Sequence, residues 1–160
     1  FKIAALEKPA TKTLDKLNLK LKIDRIDLLE SGQTLLVDYK SNAPSLTGWS
    51  INSFSEPQLP LYCTLNDEPQ PKAICFAEIK SNKLQFRGIS SKETTGLPAG
   101  IKPISSVSAI KSETWDELSQ SWEDSLHQLA TKFCSGHAEV KPINASACDY
   151  CDYRSLCRKK

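Results

Sequence analysis

The residues best suited to chemistry are a few acids and one lysine. The segment LLVDYKSN (residues 35–42) sets Asp38 and Lys40 two apart, and in a strand alternate side chains leave on the same side. Upstream, LKIDRID (21–27) carries Asp24 and Asp27. Two carboxylates brought together repel unless a cation keeps them ionised. A hard, oxygen-preferring ion, Mg²⁺ or Mn²⁺, meets that need and keeps positions open for water and phosphate. It would acidify a bound water, and a neighbouring lysine could orient that water and offset charge at a phosphate. A lone D-x-K is equally an ordinary ion pair at a strand end, so the surroundings must decide. Downstream, Gln58 and Tyr62 are four apart, which puts them on one face of a helix.

Several elements position these groups. Leu17, Leu19, Leu21 and Ile23 alternate with polar residues and predict a half-buried strand. The next apolar positions, Ile26 and Leu28, are out of phase, which predicts a bulge or a strand end near Asp24 and Arg25. ESGQ turns the chain at Gly32, and TLLVDYK returns as an antiparallel neighbour whose Leu35, Leu36 and Val37 suit burial on both faces. An acid of the first strand can then meet Asp38. Residues 41–53 read as a polar loop, and Ser55 with Gln58 has capping-box spacing for a helix. KAICFAEIK and KLQFRGIS predict two more strands joined at Ser81 and Asn82, followed by a loop over 90–109. Trp115, Leu118, Trp122, Leu126, Leu129 and Phe133 form one helical stripe, capped by Thr114 and Glu117 and stopped by Gly136. The two tryptophans are read as core packing.

With all three elements in order, the sequence resembles the RecB-like nucleases of the PD-(D/E)XK superfamily. That family's pattern is an acid in a G-x-I-D strand, then (I/V)-D-Y-K-(T/S), then Q-x-x-x-Y on a helix. Here it reads LKIDRID, LVDYKS and QLPLY, with Leu21 where the family usually has glycine. The resemblance implies an α/β fold, a central mixed β-sheet flanked by helices. It implies that Asp24 and Asp38 hold Mg²⁺ or Mn²⁺, that Lys40 acts on the attacking water, and that Gln58 and Tyr62 support the lysine and the DNA backbone. Asp27 is the fallback acid. Arg25 is either a phosphate contact or the partner that neutralises Asp27, and the second is preferred. The family also has an upstream helix with a further ligand. The chain begins at Phe1 and reads as a fragment starting after that helix, and Glu7 is given no role.

Six cysteines occur in the 160 residues. Cys63 and Cys75 sit in apolar runs and are expected to be buried hydrophobes. Cys148, Cys151 and Cys157 give C-x2-C-x5-C, a spacing that by itself suggests zinc. The same spacing resembles the arm of iron–sulfur RecB-like nucleases of the AddB type. It implies a [4Fe-4S] cluster completed by a cysteine upstream of this chain, with Cys134 or His137 as substitutes. The expected organisation is a nuclease core over 1–143 and a cysteine motif over 144–160. Arg154 and the closing Arg158, Lys159 and Lys160 add local positive charge that could follow phosphates, and Trp49 and Tyr62 are candidate stacking partners for bases.

Composition excludes little but sets the class. Charged residues make up 25% and apolar ones 39%, as in ordinary globular domains. A net charge of +2 makes no bulk case for nucleic acid, so any polyanion site is local. No apolar run is long enough to span a membrane, and the cysteine distribution predicts a reducing, cytoplasmic protein. The functional expectation is a Mg²⁺-dependent deoxyribonuclease, an exonuclease on single strands or DNA ends, working in repair or recombination beside a helicase subunit or region. The alternatives are the same fold kept as an inactive DNA-binding or scaffolding module, and a zinc-binding interaction domain.

Overall fold

The computed structural model describes residues 1–51, 54–65, 70–140, 142, 148–149 and 151–157. Its frame is one six-stranded sheet in sequence order. The strands are β1 (Lys2–Leu14), β2 (Leu17–Leu28), β3 (Thr34–Lys40), β4 (Pro71–Lys80), β5 (Lys83–Ser90) and β6 (Ile101–Pro103). β1, β2 and β3 run antiparallel in turn, β3 and β4 are parallel, β4 and β5 form a hairpin, and β5 and β6 are parallel. The helices are α1 (Gln58–Cys63), α2 (Trp115–Cys134) and α3 (Arg154–Cys157). This is the expected mixed α/β sheet with helices.

Period-two alternation divides the apolar residues between two faces. On the helical face, Ile23, Leu36, Ile74, Phe76 and Ile89 meet Trp49, Leu59, Trp115, Leu118 and Trp122. On the other face, Leu35, Val37, Ala73, Cys75 and Ala77 form a second cluster. The run Leu35–Leu36–Val37 serves both faces at once, which is why it is continuously apolar. Cys63 and Cys75 are buried as expected.

The capping box of α2 forms: Glu117 N–H donates to Thr114 Oγ1 (3.2 Å) and Thr114 N–H to Glu117 Oε2 (3.2 Å). Trp122 anchors the helix, its Nε1 donating to Trp49 C=O at 2.8 Å, and Trp115 meets it edge-on with ring centroids 5.8 Å apart. The stripe does not stay buried to its end. Leu129 and Phe133 are exposed and Ala130 is buried instead, packed with Leu126 against Leu14 of β1. Lys12 ties three elements together, donating from Nζ to Thr64 C=O beyond the end of α1 (2.6 Å) and to Glu123 of α2 (2.9 Å).

Four local expectations are corrected. First, β2 continues through Asp24 and Arg25 to Leu28, and the register shift against β1 falls between Ile3 and Ala5. The phase slip is nonetheless real, since Ile23 and Ile26 reach the same core cluster. Across from Asp24, Glu7 holds a positive φ of 52°, the left-handed region that costs a non-glycine residue energy. Second, α1 begins at Gln58 with Pro57 as N-cap and no side-chain cap. Ser55 is used differently: its N–H and that of Glu56 donate to Gly48 C=O at 3.0 and 3.2 Å. Third, the 90–109 loop contains β6 and a 3₁₀ turn, Ile104–Ser106. Fourth, Trp49 is wholly buried and stacked on Phe76 (4.8 Å), so it offers no surface to a base.

Candidate active site

The β2–β3 ladder ends at Arg25↔Val37, and beyond that pair the two strands part. The next backbone donor of β3, Tyr39 N–H, is taken by the Asp24 side chain, with Oδ2 accepting at 3.0 Å. Residues across an antiparallel pair share a face, so Asp24 and Asp38 stand side by side at the mouth of this opening. Asp38 is buried (1% exposed). Its Oδ1 accepts from Gln58 Nε2 at 2.7 Å. Its Oδ2 lies 2.8 Å from Lys40 Nζ, an ion pair, and among the described residues no other donor reaches that buried oxygen.

Gln58 links the group. Its Oε1 accepts from Lys40 Nζ at 3.1 Å while its Nε2 donates to Asp38 and, at 3.2 Å, to Tyr62 OH. Tyr62 OH donates to Lys22 C=O at 2.8 Å. Only one orientation of the amide satisfies all of this. Flipped, it would set an oxygen against a carboxylate and an NH₂ against an ammonium. α1 therefore supplies both helix residues from one face, as their spacing predicts, and ties Lys40, Asp38 and the β2 backbone into one chain of contacts.

The electrostatics follow from burial and crowding. Burial pushes the Asp38 carboxyl above its usual range, the Lys40 ammonium opposes this, and the Asp24 carboxylate adds to it. Tyr62 is raised chiefly by burial. Glu56 is a third acid in this field: burial raises its carboxyl, Lys40 lowers it and Asp38 raises it again. Sequence patterning does not single out Glu56, because it belongs to no helix or strand. Gly48 lets the 3₁₀ turn Leu46–Trp49 lie against it, since a Cβ there would fall 2.7 Å from Glu56 Cγ.

The remaining candidates lie elsewhere. Asp27 pairs with Leu35 in the ladder and so faces the second cluster, away from Asp38. It is fully buried and held in the fork of Arg25 at 2.7 and 2.8 Å. Arg25 also donates to Tyr39 OH (3.3 Å) and lies over the Phe1 ring, so its guanidinium is occupied. Arg154 opens α3, but its side chain lies outside the described residues, as do Arg158, Lys159 and Lys160. Cys148, Cys151 and Cys157 are half-buried and Cys134 is exposed. Among the described residues no group of three or more His, Cys, Asp or Glu side chains converges on a metal position.

Buried acids around a lysine and a glutamine occur in many settings, and the chain as a whole decides between them. The family model of the PD-(D/E)XK nuclease superfamily matches residues 1–158. The chain belongs to the PD-(D/E)XK nuclease superfamily. The match covers the β-sheet, the helices and the cysteine segment alike, and the mixed sheet agrees with the restriction-endonuclease-like fold of the superfamily. Its members are in general metal-dependent nucleases acting on nucleic acid. No curated protein matches the chain. Among the described residues no helix is long and apolar enough to cross a membrane.

Proposed function

We propose that this domain hydrolyses DNA phosphodiester bonds, with Asp24 and Asp38 holding Mg²⁺ or Mn²⁺ and Lys40 acting on the attacking water. One observation carries the reading: Asp38 is buried between Lys40 and Gln58 with a second carboxylate, Asp24, beside it. Two carboxylates this close repel, and one lysine offsets only part of that charge; a hard cation shared by Asp24 and Asp38 would offset the rest. The donor set, two carboxylates and no thiol or imidazole, suits such an ion. When bound, the ion supplies an acidified water and positive charge at the phosphate.

The protein's own part is positioning. Gln58 holds Lys40 through Oε1, so the ammonium stays at the site whether or not Asp38 also engages it. From there Lys40 can donate to the attacking water or a phosphate oxygen. Tyr62, bonded to Gln58 and to the β2 backbone, keeps α1 at a set distance from the strands. Single strands or DNA ends as substrate, exonuclease action, a place in repair or recombination with a helicase subunit or region, and a cytoplasmic setting are proposed on the sequence resemblance. The division into a core over 1–143 and a cysteine motif over 144–160 has the same basis. The three late cysteines do not by themselves fit a [4Fe-4S] site, which needs four ligands, so no step is assigned to them.

The test is cleavage of labelled single- and double-stranded DNA with Mg²⁺, Mn²⁺ or EDTA, by the wild type and by Lys40→Ala. Cleavage that requires the metal and Lys40 supports the reading. Equal products from both proteins, or cleavage in EDTA, overturns it.

A further inference from the structure

The chain leaving Lys40 turns away from the sheet at Asn42 and Ala43, and side chains of the β4–β5 hairpin hold that turn. Ala43 N–H donates to Glu78 Oε1 at 3.4 Å, and Ala43 C=O accepts from Arg87 Nη1 at 3.1 Å. Asn42 Oδ1 accepts from Lys80 Nζ at 2.9 Å. Glu78 stands directly beside Lys40 in the β3–β4 register and is only 3% exposed. Lys80 (2.9 Å) and Gln85 (2.5 Å) hold its carboxylate in place.

We propose that Glu78 and Arg87 are positioning residues for Lys40, gripping both polar groups of Ala43 so that the end of β3 cannot fray. Lys40 is the last residue of its strand, and the ladder to β2 has already stopped at Val37. On that stretch β4 is the remaining neighbour. A lysine has much rotamer freedom to lose, and a mobile backbone beneath it would multiply that freedom. A buried acid and a guanidinium directed at the N–H and C=O of one alanine restrict the backbone where the ammonium must be placed. Displacing a catalytic group by about 1 Å can cost roughly 10²-fold in rate.

This inference rests on the phosphodiesterase reading for its consequence, and its test separates the two. Arg87→Leu and Glu78→Leu are expected to lower kcat on DNA by roughly tenfold to a hundredfold, with KM nearly unchanged. Arg87→Lys keeps a donor and Glu78→Gln keeps an acceptor oxygen, so each should restore most of the rate. NMR of the same proteins should show faster amide exchange at Ala43 and a shifted Lys40 ammonium signal in the leucine variants only. Should Glu78→Leu fail to fold, the Arg87 pair carries the comparison. An unchanged Ala43 amide and Lys40 signal, or equal loss in the conservative and leucine variants, overturns the positioning role. If the wild type does not cut DNA while the Ala43 and Lys40 signals still respond, the positioning stands and the nuclease reading falls.

Discussion

Asp24 and Asp27 lie three residues apart on β2 and serve opposite faces of the sheet. Asp24 stands beside Asp38 and takes the Tyr39 N–H, whereas Asp27 is enclosed in the fork of Arg25. Their substitutions should therefore differ in kind. Asp24→Asn should abolish cleavage with little change in melting temperature. Asp27→Asn strands a largely buried guanidinium and should cost about 3 kcal/mol of stability, while the folded fraction still cuts. Paired melts and nuclease assays check this, and a stable but inactive Asp27→Asn would reverse the assignment.

Lys40→Ala should reduce cleavage to background and leave the fold intact. The side chain is part-exposed, and its loss frees Gln58 Oε1 and Asp38 Oδ2 without opening the core. Circular dichroism and a thermal melt alongside the activity assay separate loss of chemistry from unfolding.

Asp38 should show a conflict between stability and function. Its folded pKa is raised, first by burial, so the native state binds the proton more tightly than the unfolded chain does. Stability should then fall as pH rises from the ordinary aspartate range through the raised folded value. Asp38→Asn removes that penalty, so it should melt higher than wild type at neutral pH and be inactive. Added Mg²⁺ should raise the wild-type melting temperature by preferential binding to the folded state and leave that of Asp38→Asn unmoved.

Glu78 carries the opposite sign. Its carboxyl is lowered to about 2 by hydrogen bonds from Lys80 and Gln85. Its contribution is complete above the ordinary value of 4.5 and is lost as pH falls through about 2. Acid titration of stability should be shallower in Glu78→Gln over that window, and identical slopes would contradict the assignment.

Along α2, Trp122→Ala should cost about 3–5 kcal/mol, since the ring is fully buried and bonded to Trp49 C=O. Phe133→Ser, at the exposed end of the same stripe, should stay within about 0.5 kcal/mol of wild type. Urea unfolding of the two variants reads the contrast directly.

Much of this was legible from local pattern. Alternation located β2, the continuous apolar run Leu35–Leu36–Val37 located β3, and the apolar segments KAICFAEIK and KLQFRGIS located β4 and β5. The spacing of Gln58 and Tyr62 put both on one helix face, and Thr114 with Glu117 marked the start of α2. β1 was not legible. It is an edge strand in which Ile3 and Leu6 are exposed while the inward positions from residue 8 onward carry Lys8, Ala10 and Lys12 before Leu14, so its apolar residues show no alternation. Glu56 was missed for a related reason: it acts from a segment with no period, held by Gly48.

The sequence alone determined which residue types are available and their order: an acid, an acid with a lysine two further on, then glutamine and tyrosine one helical turn apart. It also determined the elements carrying them, because local periodicity and caps are properties of neighbours in the chain. Tertiary structure decided which acid of β2 meets Asp38, since facing depends on where the strands part rather than on spacing. It also decided that Arg25 is occupied by Asp27, and that Glu78 and Arg87 reach the turn beyond Lys40. The last of these joins residues more than thirty positions apart, and only packing of the sheet brings them together.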